Sequence, residues 1–335
     1  ELGFENVHVE PFDVPLWQRG IERAEIVSPF PQQLTVTALG GSVATPEEGV
    51  VGQLIRFGSV KELQSQPEGS LKGKIVFIDE IMTRTQDGSG YGVAVGKRRQ
   101  TAYEAFKKGA LGALIRSVGT SSHRFAHTGQ MKTITEITEE IDSVPTAALS
   151  APDADQLARA LERTDDIQIK LQLTPKFEPA STSGNVVGEI VGTESPEEVI
   201  IIGGHLDSWD LGTGAIDDGA GIGITVAAAR LIKDHYPNGL KRTIRIVMWG
   251  SEEVGLVGAK AYAEAHANEL DNFIVAAESD FGAGKIWKFN RFFAEEKLHY
   301  LSEIADVLRP LGIAKGDNEA SGGPDVGALK AKGVP

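Results

Sequence analysis

Residues 199–218 read VIIIGGHLDSWDLGTGAIDD and predict a buried strand that ends at a group of polar side chains. The first four residues form an apolar run, and the chain then delivers His205 and Asp207 beyond the predicted strand. A glycine-spaced loop follows and ends in the acidic pair Asp217 and Asp218. Since open α/β sheets place their chemistry at the carboxyl ends of strands, this stretch is the predicted centre of a functional site.

Two later strands are predicted to end in acidic residues as well. The run Ile244 to Trp249 is followed by the pair Glu252 and Glu253, and the run Phe273 to Ala277 is followed by Asp280. One imidazole with several carboxylates and no thiol is the donor set of hydrolytic zinc sites. The three strand ends together therefore predict a zinc site.

The overall composition is that of a globular protein with acidic character. Of its 335 residues, 41% are hydrophobic and 24% are charged, so the chain is long enough for two folded domains. The formal net charge of −14 argues against nucleic acid or an anionic membrane surface as a partner. The chain has no cysteine, which excludes disulfides and thiolate ligands. No apolar run reaches the roughly 18 residues of a membrane span, and no signal peptide is visible.

Both ends of the sequence resemble interior parts of domains. The opening ELGFENVHVEPF alternates like an edge strand from the first residue onward. The closing Gly333–Pro335 resembles the start of a loop or strand. We therefore expect the chain to be a piece of a longer protein that lacks its C-terminal end.

The sequence pattern changes along the chain and predicts an interrupted domain. Residues 35–172 carry short β-like runs between Gly and Pro turns, which predicts a small β-rich domain with two helices. Residues 173–335 alternate strands with helices, which predicts a mainly parallel α/β sheet covered by helices. Residues 1–34 are assigned to the same α/β domain, so the β-rich block is an insert.

Helix starts are predicted from local capping signals. In the β-rich block, Thr101 with Glu104 and Ser150 with Asp153 have the spacing of capping boxes. In the α/β part, a helix is predicted over Gly219–His235, because two acids directly before it favour its N-terminus and Pro237 ends it.

Each polar pair also has a simpler interpretation. His205 with Asp207 fits a structural histidine held by a carboxylate, Asp217 with Asp218 fits acids at a helix N-terminus, and Glu252–Glu253 fits a solvated turn. At consecutive strand ends, a metal site explains all three pairs together. One carboxylate can bridge two metal ions about 3.5–4 Å apart, and of two adjacent glutamates one can bind metal while the other transfers a proton.

Other sites fit the sequence less well. The His-Glu-x-x-His pattern of helix-borne zinc sites is absent, and the glycines after residue 211 do not have the spacing of a dinucleotide-binding loop. His123 and His127 are interpreted as surface loop residues, and His235 and His266 as residues near helix C-termini.

Four motifs carry a resemblance to a known superfamily. GGHLDSWDLGTGAIDDGAG, SEEVGLVGAKAY, ESDFGAG and PLWQRG resemble the zinc aminopeptidase and carboxypeptidase superfamily. The block from GKIVFIDE to VPTAALS resembles the protease-associated domain that interrupts its peptidase domain. The resemblance implies a secreted or extracytoplasmic zinc-dependent exopeptidase that hydrolyses dipeptides or short peptides with metal-activated water, and it allows a homodimer.

The resemblance also implies the ligands of two zinc ions. His205 and Asp280 would bind one zinc, Asp217 would bridge both, and Glu253 would bind the second. In the family a histidine downstream of the Gly-Val-Pro segment completes the second site, and none of the seven histidines here matches it. We therefore expect the second zinc site to be one protein ligand short, and this chain to have low peptidase activity.

Two further roles follow from the resemblance. Glu252 is implied as the general base and acid, and Asp207 as the residue that orients His205. The peptide bond from Asp217 to Asp218 is expected to be cis. A catalytically silent receptor or binding relative and a glutaminyl cyclase-like transferase with a single zinc are the alternatives; the metal-binding residues oppose the first, and the insert opposes the second.

Overall fold

The computed structural model describes residues 3–137, 141–280, 282–292 and 295–335, and the chain divides into two compact units. The flanking unit comprises Glu1–Val14 with Thr182–Pro335, and the inserted unit comprises Pro15–Ser181. Their elements are numbered here in chain order. Among the described residues, the strands are β1 (Glu5–Gln18), β2 (Glu22–Ser28), β3 (Gln32–Leu34), β4 (Val36–Ala38), β5 (Val50–Phe57), β6 (Lys74–Ile78), β7 (Gly112–Arg116), β8 (Thr146–Leu149), β9 (Gln168–Leu173), β10 (Lys176–Ile190), β11 (Gly192–His205), β12 (Leu240–Trp249), β13 (Phe273–Glu278), β14 (Lys288–Phe289) and β15 (Ala314–Lys315). The α-helices are α1 (Val60–Gln64), α2 (Ser89–Ala94), α3 (Gly96–Lys107), α4 (Ala151–Leu161), α5 (Gly219–His235), α6 (Val257–Ala265), α7 (Tyr300–Leu308) and α8 (Val326–Lys330).

The main sheet of the flanking unit has the strand order β1-β10-β12-β11-β13. Strand β11 runs parallel to both β12 and β13, whereas β10 runs antiparallel to β12. Helix α5 connects β11 to β12, and α6 lies between β12 and β13, so these three strands can run parallel. Strands β10 and β11 are joined at Val191 without a crossover helix, so the chain reverses its direction there. The α/β class is confirmed; β11, β12 and β13 run parallel as predicted, and β10 adds an antiparallel strand to the sheet.

The register of the sheet brings three strand ends together. His205 lies beside Trp249, and Gly203 lies beside Glu278. The core beneath them contains Trp249, the last residue of β12, and Tyr262 of α6. Their rings pack edge to face with centroids 5.2 Å apart. The residues that follow β11, β12 and β13 therefore start from neighbouring positions on one edge of the sheet.

The inserted unit contains an eight-stranded sheet of order β3-β2-β9-β5-β6-β7-β8-β4. Its middle strands β5, β6, β7 and β8 are parallel, and two apolar clusters form its core. Four helices are described in this unit, where the sequence predicts two. Ser150 is the N-cap of α4, since its Oγ accepts the N–H of Asp153, but its own N–H donates to the main-chain oxygen of Thr35, so the reciprocal bond of a capping box is not formed. The capping box at Thr101 is wrong, because α3 begins at Gly96 and Thr101 is buried inside it.

The unit boundaries differ from the predicted insert over 35–172. Strand β2 pairs with β9, which joins residues 22–28 to the sheet of the inserted unit. Strands β1 and β10 each run from one unit into the other, so no loop or change of composition marks the divisions after Val14 and Ser181. Within the described residues, no helix combines the length and apolar character that crossing a membrane requires.

A pH-dependent contact links β1 to the end of α6 within the flanking unit. The Glu10 carboxylate lies 3.1 Å from Nε2 of His266 and also contacts His8. Hydrogen bonding to Glu10 raises the pKa of His266. Burial alone would raise the pKa of Glu10, but the hydrogen bonds to His266 and His8 outweigh burial and lower it. The contribution of His266 to stability is therefore complete below its usual pKa of 6.5, and it is lost as the pH rises through the higher pKa of the folded state. The contribution of Glu10 is present above its usual pKa of 4.5 and is lost as the pH falls through its lower folded-state pKa.

We expect the Glu10→Gln substitution to destabilise the protein by about 1 kcal/mol at about pH 5.5 and by much less at about pH 9. Thermal unfolding followed by circular dichroism at the two pH values measures the difference. Glu5→Gln, which removes an exposed carboxyl group from the same strand, is the matched control. Equal losses at both pH values for Glu10→Gln would show that the ion pair does not contribute to stability.

Candidate metal centre

One histidine and two aspartates converge at the carboxyl end of β11. Nε2 of His205 lies 2.9 Å from Oδ1 of Asp217 and 3.3 Å from Oδ1 of Asp280. The ligand atoms of the three residues all lie within 4.8 Å of one another. His205 is buried, whereas 66% of the Asp217 side chain is exposed, so the group opens to solvent on one side.

The electrostatics of this group favour a cation. Burial alone would lower the pKa of His205, but the hydrogen bonds to Asp217 and Asp280 outweigh it and raise the pKa to about 12. In the metal-free protein, the imidazole of His205 is therefore protonated, and its positive charge lies between the two carboxylates. An imidazole with two carboxylates suits a divalent ion of borderline hardness, and the ion would take the place of that proton.

The orientation of His205 is fixed by a main-chain group. Its Nδ1 lies 2.8 Å from the main-chain oxygen of Asp207 and 3.7 Å from the Oδ1 atom of the same residue. A ring nitrogen held in this way donates its proton to the carbonyl, which leaves Nε2 to face the carboxylates. Asp207 therefore lies beside His205 as the sequence predicts, but its main-chain oxygen, and not its carboxylate, accepts the hydrogen bond.

Asp218 has a different task from its neighbour Asp217. It is the N-cap of α5: its Oδ1 accepts the N–H of Gly221 at 3.1 Å, and its Oδ2 accepts the N–H of His205 at 3.0 Å. The peptide bond between the two aspartates is cis, as expected. The helix-cap interpretation is thus confirmed for Asp218, while Asp217 turns to the imidazole.

Glu252 and Glu253 follow β12 in a turn beside the group. Their backbone N–H groups donate to Oδ1 and Oδ2 of Asp207 at 2.9 and 3.1 Å. Burial raises the pKa of Glu252 to about 8 and that of Glu253 to about 7. Among the described residues, the group of atoms within 4.8 Å contains His205 and its two aspartates but not Glu253.

Sequence reasoning missed a buried carboxyl pair next to the centre. Oε2 of Glu278 accepts the backbone N–H of Asp325 at 2.8 Å, and the Asp325 side chain is fully buried. Burial and the charge of Glu278 raise the pKa of Asp325 to about 10. Glu278 could have been noticed directly after its strand, whereas Asp325 precedes α8 and has no strand pattern to mark it.

We expect the Asp218→Ala substitution to lower the free energy of unfolding by about 2 kcal/mol, because two buried N–H groups lose their acceptor. Asp218→Asn keeps an acceptor oxygen and should cost less than half as much. Denaturant unfolding of the metal-free protein measures both changes. If the two variants are as stable as the parent, the cap does not stabilise the start of α5.

Comparisons with known proteins identify relatives over nearly the whole chain. The model of peptidase family M28 matches residues 185–321. Carboxypeptidase Q of Bos taurus is 37% identical over 336 residues, covering 99% of this chain and 68% of that protein. Carboxypeptidase Q of Rattus norvegicus is 38% identical over 335 residues, with 99% and 68% coverage. These matches confirm that the sequence motifs are those of a carboxypeptidase Q-like member of the superfamily.

Solved structures agree with this relationship. The crystal structure of a peptidase M28 precursor from Shewanella amazonensis SB2B has a TM-score of 0.94 and 47% identity, and the match covers 99% of this chain and 74% of that chain. A zinc aminopeptidase from Bacillus subtilis has a TM-score of 0.68 at 20% identity, with 99% and 74% coverage, which is a likeness of fold alone.

Proposed function

The chain belongs to peptidase family M28, whose members are metallopeptidases, and from this premise we propose that it is a zinc-dependent exopeptidase acting on dipeptides or short peptides. The observation that carries the proposal is the contact of one buried imidazole with two carboxylates beside the half-buried Glu252. The zinc named for the Bacillus subtilis aminopeptidase supports the choice of metal.

The proposed ligands follow from the residues at the strand ends. His205, Asp217 and Asp280 would hold one zinc ion, and Asp217 with Glu253 would hold a second. Bound zinc supplies Lewis acidity, which polarises a peptide carbonyl and makes water a stronger acid. The described residues thus offer three ligands to the first ion and two to the second.

Glu252 is the proposed proton carrier. Its carboxylate accepts a proton from the water that attacks the peptide carbonyl, and it then donates this proton to the nitrogen of the leaving amine. In the metal-free protein, burial raises the pKa of Glu252 to about 8, which favours the protonated form that donates to the leaving amine.

The inserted unit is proposed to be the protease-associated domain, with boundaries near Pro15 and Ser181 rather than at 35 and 172. Its support is the block from GKIVFIDE to VPTAALS, which contributes β6 and β8 to the sheet of that unit. Secretion and a homodimer stay predictions from the resemblance.

We expect Glu252→Gln in the zinc-loaded protein to lower kcat about 100- to 10,000-fold, because the amide cannot carry the proton. Zinc content and KM should change little, since the amide keeps the size of the side chain. Steady-state hydrolysis of unblocked dipeptides, with metal analysis of the same samples, measures these quantities. Glu264→Gln, an exposed substitution on α6, is the control, and near-normal turnover of Glu252→Gln would refute the proposed role.

Zinc titration against a competing chelator should show two ions of unequal affinity, because three ligands hold zinc more tightly than two. Asp280→Asn should weaken the tighter phase and Glu253→Gln the weaker one. Two equally tight ions would mean that a ligand has been overlooked. Absence of zinc binding would support the receptor-like alternative, and one zinc with cyclisation of N-terminal glutamine would support the cyclase.

A further inference from the structure

We propose that the Asp207 carboxylate is a positioning residue for the turn that carries Glu252, and that His205 is oriented without it. The inference rests on the proposed function, because it gives Glu252 the proton-transfer role. It assigns the side chain of Asp207 to a different partner from the one that the sequence resemblance implies.

The first step concerns His205. Its Nδ1 contacts the Asp207 main-chain oxygen at 2.8 Å, whereas the nearest carboxylate oxygen lies 3.7 Å away, beyond hydrogen-bonding distance. A main-chain carbonyl is present whatever side chain occupies position 207. The orientation of the imidazole therefore does not require a carboxylate at this position.

The second step concerns the two oxygens of that carboxylate. Oδ1 accepts the N–H of Glu252 at 2.9 Å, and Oδ2 accepts the N–H of Glu253 at 3.1 Å. These two donors lie after the end of β12 and before α6, where neither the strand ladder nor the helix supplies an acceptor. One carboxylate thus satisfies two consecutive backbone donors and fixes the direction of the peptide between them.

The third step is that this turn requires external support. Ser251 and Leu256, the residues on either side of the segment, have φ angles of 59° and 60°, in the left-handed region that non-glycine residues avoid. Backbone in this conformation persists when surrounding contacts determine it. Asp207 is itself held in place, because the N–H of the preceding Leu206 donates to the main-chain oxygen of Trp249 at 2.7 Å.

Together these contacts form a clamp between two strand ends. Leu206 and Asp207 follow directly after β11. The N–H of Leu206 donates to the last residue of β12, and the carboxylate of Asp207 accepts hydrogen bonds from the turn after β12. Removal of the carboxylate would free the peptide that sets the position of the Glu252 side chain, while the imidazole would keep its carbonyl partner. The expected defect is therefore in proton transfer, and in the weaker zinc site that Glu253 would serve, while the zinc ion held by His205 keeps its affinity.

Amide hydrogen exchange of the metal-free protein tests the clamp independently of activity. We expect Asp207→Ala to accelerate exchange at the Glu252 and Glu253 amides at least about tenfold, since each loses its acceptor. Asp207→Asn keeps one acceptor oxygen and should leave one of the two amides protected, which also covers the case in which the alanine variant folds poorly. Asp271→Ala, an exposed substitution in the same unit, is the control. Unchanged exchange at both amides in both variants would overturn the proposal.

Kinetics of the zinc-loaded protein then separate the two possible partners of Asp207. We expect Asp207→Ala and Asp207→Asn to lower kcat at saturating zinc at least about tenfold, with KM and the affinity of the tighter zinc ion within about twofold of the parent. The double variant Asp207→Ala/Glu252→Gln should be no slower than Glu252→Gln alone, because both changes affect one step. Weakened binding of the tighter zinc ion, with activity restored by added zinc, would show that Asp207 acts through His205 and would overturn the proposal. If Glu252→Gln itself remains active, the proposed function fails, whereas the exchange result still decides whether the clamp exists.

Discussion

The contact between one imidazole and several carboxylates is the constraint on which the structure of this edge depends. Asp217 and Asp280 both face Nε2 of His205, and the half-buried Glu252 lies within the range of the Asp280 charge. Like charges held this close repel one another unless a cation lies among them. A proton on His205 meets this need in the metal-free protein, and a metal ion would meet it in the active one, so metal binding and the stability of this edge are coupled.

The sheet makes this concentration of charge possible. Crossover helices let β11, β12 and β13 run parallel, so their carboxyl ends lie side by side and each contributes residues from a short following segment. The backbone must also come close to the cap of α5: a Cβ added at Gly204 would lie 2.5 Å from Oδ2 of Asp218. Glycine at that position lets β11 and α5 meet closely enough for one aspartate to bind both the strand end and the helix start.

Local patterns predicted the parts of the fold that depend on neighbouring residues. Helix α5 spans Gly219–His235 as predicted, since its cap and its stop both lie in the sequence around it. The limits of the inserted unit were not predictable in the same way, because they depend on the pairing of β2 with β9, far apart in the chain. The contact of Glu278 with Asp325 was not predicted either, because the two residues are also far apart in the chain. The three strand-end groups were predicted because each follows its own strand.

Asp207 shows why proximity in sequence is a weak guide to a side-chain partner. Two residues after a histidine, an aspartate is placed to contact it, and the resemblance assigns it that task. In the structure, the main-chain oxygen of the same residue lies 2.8 Å from Nδ1, closer than its carboxylate at 3.7 Å. The carboxylate is then left for the backbone donors of the Glu252–Glu253 turn, which have no secondary-structure partner and need an acceptor. The need of two backbone N–H groups for an acceptor, rather than the need of the histidine for a partner, thus determines where this carboxylate binds.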